Sequence, residues 1–208
     1  STINNSNSNY HKSYNNYTFF MNQYSFSKSG HVLYIDQPFG TGYSYPGIKN
    51  GYCRDDNKCN LHFYEFLQKF FKVYPQFKSK DKVKGSREIY FTGESHAGHF
   101  IPSVTTYIVK QNDKVSDANN SERSNNIRLN IKALLIGNGW IDPTYQYDVT
   151  DYAIEMGLIK SNLKNGLMES SARCKELLRR KQYNHKTCYK LLDDVLAMTR
   201  APGKSKRV

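Results

Sequence analysis

No stretch of the 208-residue sequence approaches the roughly 18–20 uninterrupted apolar residues that span a bilayer, so no membrane-crossing helix is expected. The amino terminus, Ser1-Thr2-Ile3-Asn4, lacks the basic-then-apolar pattern of a secretion signal. It also lacks an initiator Met, and upstream sequence is expected. Hydrophobic residues are scarce at 38%, against about 45–50% for globular chains on a count that includes glycine. The deficit is local. Residues 1–18 are Asn-rich without an aliphatic run, whereas 31–37, 88–92 and 131–136 are apolar and β-branched. Core segments separated by polar inserts account for this pattern, and a disordered chain does not. Acidic residues are the other shortage: 18 Asp and Glu against 30 Lys and Arg leave a net charge of +12. Such an excess raises nucleic acid as a partner. Yet the basic residues are scattered, with small clusters at Lys78 to Lys84, Arg179 to Lys181 and Lys204 to Arg207. Neither the aromatic-basic interleaving of an RNA-binding sheet nor a helix-turn-helix pattern is present. The charge reads as a solvated surface, with no nucleic-acid partner.

Cysteine is sparse but arranged. Cys53 and Cys59 are close in sequence, as are Cys174 and Cys188, which suits two local disulfides in an oxidising compartment. Asn4, Asn16 and Asn119 head glycosylation sequons in polar stretches. Zinc held by these cysteines with His62 and His185 is the competing reading; the spacing matches no standard cluster, and no metal is expected.

Along the chain, 1–18 is a low-complexity segment, expected to be disordered or a surface insert. His31-Val32-Leu33-Tyr34-Ile35-Asp36 has the composition of a buried strand, and the glycines and prolines after it make a long loop. Leu61 to Tyr74 carries apolar residues at helical spacing and stops at Pro75. Glu88 to Thr92 is a second strand, running into Gly93-Glu94-Ser95-His96-Ala97-Gly98. Ala97 to Lys110 is then a helix, with Pro102 tolerated near its start. A second polar insert fills 112–126. Ile131 to Ile136 is a third strand closed by Gly137-Asn138-Gly139. Two helices follow, Asn162 to Lys181 and Thr187 to Met198, with Cys174 and Cys188 placed to pin them. Strands alternating with helices imply an α/β fold with a mostly parallel sheet. The expected division is 1–18, a core over 19–160 and a helical insertion or cap with a basic tail over 161–208.

The junction at 93–98 carries the chemistry. A serine hydroxyl is a poor nucleophile unless a base takes its proton and its oxygen stands clear of the backbone. A tight strand-to-helix turn meets the second condition. Gly93 and Ala97 are small enough for strand and helix to approach closely, Ser95 sits at the tip, and the helix start aims free N–H groups at developing negative charge. The pattern departs from G-x-S-x-G in having Ala97 where the last glycine would stand. An ordinary βα turn that happens to carry a serine is the bland reading of the hexapeptide taken alone.

The surroundings decide between these. Gly-Glu-Ser-His-Ala-Gly-His-Phe-Ile-Pro (93–102) resembles the serine carboxypeptidases, a family of α/β-hydrolase fold. The resemblance extends to Asn22-Gln23-Tyr24-Ser25-Phe26, to VLYIDQPFGTGYSY (32–45), and to Phe66 to Phe71 with Tyr74-Pro75. It resumes in LLIGNGWIDPTYQY (134–147) and YAIEMGLI (152–159). Within the family, the Gly-Asn-Gly-Trp-Ile-Asp-Pro run and the Cys174 to Cys188 segment look most similar to the fungal pheromone-processing type, carboxypeptidase D. That type trims C-terminal Lys or Arg from peptides in the late secretory pathway.

The resemblance implies a serine-type carboxypeptidase with a partial α/β-hydrolase fold and a helical cap, no cofactor, and peptide or protein C-termini as substrates. It places the protein in the secretory pathway (Golgi, vacuole or lysosome, or secreted). Ser95 matches the nucleophile, and the backbone N–H of His96 matches one oxyanion-hole donor. Glu94 matches a carboxylate that, in the family, pairs with another acidic group to hold the substrate's terminal carboxyl. Two carboxylates sharing a proton accept a third best at acidic pH. Family members usually have Tyr where His96 stands. An imidazole adjacent to the nucleophile on a tight turn points away from it, so His96 is not expected to be the base. For His99, inside the helix, packing or surface exposure is expected. In α/β-hydrolases the acid and base follow the nucleophile along the chain. Neither the triad Asp nor the triad His is expected within these 208 residues; Asp142 belongs by motif to the Gly-Asn-Gly-Trp segment. The Gly-Gly-Pro-Gly-Cys-Ser-Ser loop is absent as well. An internal portion of a carboxypeptidase, itself inactive, is therefore expected. A non-catalytic relative that binds peptide C-termini is one alternative, and an acyltransferase with the same elbow is another.

Overall fold

Where the Asn-rich segment ends, β-formers stand on both sides of an Asn pair. There the chain folds back as an antiparallel hairpin of β1 (Lys12–Tyr14) and β2 (Tyr17–Phe19). The structure is a computed structural model that describes residues 12–14, 17–45, 47, 51–81, 85–116 and 126–199. The rest of the Asn-rich segment, Asn4, Asn16 and Asn119, and the Lys204 to Arg207 cluster lie outside the described residues.

The chain divides after Cys53 into two units. In the first, His31 to Asp36 is not the buried strand that its composition suggests. No ladder pairs with it among the described residues, and Leu33 and Tyr34 are 45% and 79% exposed. An extended run becomes a strand only when neighbours take its backbone hydrogen bonds, and hydrophobicity supplies no neighbour. Asp36 instead organises the loop after it, its Oδ2 accepting from the Tyr43 N–H at 2.8 Å.

The second unit carries the site. Asp55 caps α1 (Asp56–Val73), its carboxylate accepting from the Lys58 N–H. Phe63, Leu67 and Phe71 form the buried stripe of that helix. Phe63 meets Phe91 edge-on, ring centroids 5.8 Å apart, and so seats α1 on β3 (Ile89–Glu94). After one turn comes α2 (Ala97–Ser116), longer by six residues than the expected Lys110 end. It leads to β4 (Ile131–Gly137), which lies parallel to β3 with Glu94 opposite Gly137. This βαβ unit is the parallel pairing that the alternation of strand and helix implies.

Two buried side-chain amides fix the approach to β4. Gln68 on α1 donates from Nε2 to the Ile127 carbonyl and accepts from the Ile127 N–H, both at 2.9 Å. Asn112 on α2 does the same to Leu129, both at 2.8 Å. Leu129 is fully buried, so these bonds satisfy backbone groups that water cannot reach.

Past β4 the chain is helical. Asp142 caps α3 (Pro143–Gln146), accepting from the Thr144 N–H at 2.8 Å, and α4 (Thr150–Glu155) follows. The expected helix pair is α5 (Lys164–Arg179) and α6 (Lys186–Met198). Cys174 and Cys188, both fully buried, form a disulfide with Cα atoms 5.1 Å apart. Leu167, Leu178, Leu191 and Val195 pack with it. Cys53 and Cys59 are oxidised too. No helix among the described residues is long and apolar enough to cross a membrane.

Candidate active site

The turn between β3 and α2 is built by backbone. The Ser95 N–H donates to the Gly137 carbonyl at 3.0 Å, which carries the β3–β4 pairing one residue past the strand end. The Ser95 carbonyl accepts from Gly98 at 3.0 Å and from Trp140 at 2.8 Å. Held between these bonds, Ser95 has φ +58°, the left-handed region where a side chain costs about 1–3 kcal/mol. The side chain is thereby exposed at the tip of the turn.

Two glycines let the turn be this tight. A Cβ on Gly93 would stand 2.5 Å from Cβ of Ala97, so β3 and the first turn of α2 meet only without one. A Cβ on Gly98 would stand 2.6 Å from the Trp140 nitrogen and 2.7 Å from Cα of Gly139, both backbone atoms. The Gly-Asn-Gly loop after β4 is therefore in direct contact with the start of α2. The small-residue requirement expected at Gly93 and Ala97 extends to Gly98.

Glu94 is exposed at the end of β3, beside Ser95. The His96 N–H donates to no backbone carbonyl among the described residues, while the His96 carbonyl accepts from His99 and Phe100. The His96 imidazole packs edge-on against Phe100, ring centroids 4.7 Å apart, and lies 5.5 Å from the His99 ring. His99 Nε2 is 3.1 Å from Asp56 Oδ1 at the start of α1. Asp142, the carboxylate most easily mistaken for a triad acid, is occupied as the α3 cap. Among the described residues no group of three His, Cys, Asp or Glu side chains is arranged for a metal ion.

The other carboxylate with a distinct setting is Asp148, far along the chain from this turn and only 5% exposed in its side chain. Burial works to raise its pKa. Hydrogen bonds from the Ser171 hydroxyl and the Thr150 N–H, with Lys175 Nζ 3.1 Å away, outweigh it and hold the carboxyl below the usual carboxylate value. Lys175 also reaches Asp151 at 3.1 Å.

Comparison with known proteins places the sequence in a family. Residues 7–206 match the serine carboxypeptidase family. A pheromone-processing carboxypeptidase KEX1 of Phytophthora infestans is 35% identical over 184 residues, covering 88% of this chain and 29% of the relative. Serine carboxypeptidase S10 family member 2 of Dictyostelium discoideum is 32% identical, covering 86% of this chain and 30% of the relative. The crystal structure of Kex1(delta)p, a prohormone-processing carboxypeptidase from Saccharomyces cerevisiae, superposes with a TM-score of 0.62 at 30% identity. It covers 85% of this chain and 37% of that one. The chain thus spans about three-tenths of the length of the curated relatives it matches. Its βαβ unit and helical segment are part of an α/β-hydrolase fold, and the chain belongs to the serine carboxypeptidase family.

Proposed function

We propose that Ser95 is the nucleophile of a serine-type carboxypeptidase that releases C-terminal residues from peptides. The observation that carries this reading is a non-glycine residue held at φ +58° with its side chain exposed between strand and helix. Ser95 Oγ attacks the carbonyl of the last peptide bond and gives up its proton to a general base. Collapse of the tetrahedral intermediate expels the C-terminal residue and leaves an ester on Ser95, which water then hydrolyses. In the chain order of the fold, the base and its acidic partner follow the nucleophile.

The His96 amide donates to the developing oxyanion. Its N–H has no backbone acceptor among the described residues, and it stands just before the positive end of α2. Glu94 binds the substrate's free carboxyl together with a second acidic group. In the finer reading the released residue is Lys or Arg. The oxidised cysteines suit a secretory compartment, and we place the protein in the Golgi, in a vacuole or lysosome, or outside the cell.

The test uses the gene product purified from a secreting host, with peptides ending in Lys or Arg and their amidated counterparts at acid pH. Release from free-carboxyl peptides alone is expected, and Ser95→Ala lowers kcat by about a thousandfold or more. Release that survives Ser95→Ala overturns the assignment. Binding of free-carboxyl peptides without release would leave a recognition role only, and acyl transfer to an alcohol would make the protein an acyltransferase. Glu94→Gln is expected to raise KM about tenfold for free-carboxyl peptides while kcat changes little, a split that marks lost substrate binding.

A further inference from the structure

The contacts between α1 and α2 fall on a regular offset. Asp56 meets His99, Asn60 Nδ2 donates to Ser103 Oγ at 2.8 Å, and the Tyr64 ring meets Tyr107 edge-on at 5.9 Å. Each partner lies 43 residues after the other, and successive rungs are four residues apart on both helices. Rows of side chains at i, i+4 from the two helices are therefore matched one to one. Such a match sets how far α2 is advanced along α1. The first rung is the one beside Ser95.

That end of α2 lacks one internal bond. Pro102 is the sixth residue of the helix, not a first-turn residue, and it has no N–H to return to the Gly98 carbonyl. The first turn is closed by the Gly98 amide on the Ser95 carbonyl at 3.0 Å and by the His99 and Phe100 amides on the His96 carbonyl, at 3.0 and 3.4 Å. His99 is thus placed to do what the missing bond does not. Its ring lies beside His96, and its Nε2 is fixed to a residue of the neighbouring helix.

We propose that His99, through its bond to Asp56, is a positioning residue for the Ser95 turn. It holds the first turn of α2, and with it the His96 amide, at the height where the oxyanion donor faces the nucleophile. This rests on the function proposed above for Ser95 and His96, but the device itself is a property of the fold and can be tested apart from turnover.

The experiment compares His99→Ala, Asp56→Ala, the double variant and His99→Gln in the full gene product. Amide hydrogen exchange of the peptide covering 94–101 is read alongside kcat and KM. Both single variants are expected to speed exchange at the turn about tenfold and lower kcat about tenfold with KM within about twofold. The double variant is expected to add little to His99→Ala, since the bond to Asp56 is already gone there. His99→Gln, which keeps a donor to Asp56, is expected to recover most of both effects. Unchanged exchange in 94–101, or additive effects of the two alanines, overturns the proposal. If the wild-type protein shows no turnover, the functional reading fails while the exchange result still decides the role of His99.

Discussion

At the residue scale, the conformation of Ser95 separates what its side chain does from what its backbone costs. Ser95→Ala removes the hydroxyl and keeps a Cβ in the left-handed region, whereas Ser95→Gly removes both. Urea unfolding should place the glycine variant about 1 kcal/mol above the alanine variant, although neither can acylate. Gly98→Ala is expected to do more damage than either. Its methyl would meet backbone of Gly139 and Trp140, which has no flexible end to swing aside. A loss of about 2–3 kcal/mol with release of the Gly-Asn-Gly loop from α2 is the expected result, read by unfolding and by Trp140 fluorescence. The sequence marked Ser95 through the run of small residues around it. It did not mark His99, because the partner of His99 is fixed by the alignment of two helices. An offset of 43 residues leaves no trace in the periodicity of either helix alone.

Among the elements, the helices were the legible part. Apolar spacing located α1, and α2, α5 and α6 stand where helices are expected after the elbow and around the paired cysteines; the six-residue extension of α2 past Lys110 lies in a stretch whose polar composition reads as insert. The buried Asn112 explains the error: it lies in the polar run at 112–126, yet it binds both backbone groups of Leu129. Asn112→Ala strands a buried N–H and a buried carbonyl together, and unfolding should register a loss of about 2–4 kcal/mol. The strand expected at 31–36 failed for the opposite reason, since an apolar run was taken as evidence of ladder partners. The pairing of α5 with α6 was legible because the cysteines named it. Replacing Cys174 and Cys188 by serine should lower stability by about 2–4 kcal/mol, the range for a loop of this length, with helicity of 164–198 lost first in a circular-dichroism melt.

For the whole molecule, acid is the condition that matters, since the proposed reaction favours it and the chain already carries +12 at neutrality. Asp148 bears on this. Its folded pKa lies below the ordinary value near 3.8, so its contribution is whole above that pH and is lost as pH falls through the depressed folded value. The helical segment should therefore keep its hold through the mildly acidic range and loosen only below about pH 4. Urea midpoints measured from pH 7 to pH 2 check this, with Asp148→Asn expected to flatten the drop. The family was legible across nearly the whole sequence, as the match over 7–206 reflects. The way backbone and side-chain bonds hold the turn was not, because those bonds join residues that no local pattern relates.

The amide clamps of Gln68 and Asn112 have one more consequence. Both grip the chain at Ile127 and Leu129, just before β4, so the strand's position is decoupled from whatever connects it to α2. The register of β4 beside β3 should therefore outlast changes made in the sequence between α2 and Ile127, because closure entropy grows only slowly with length.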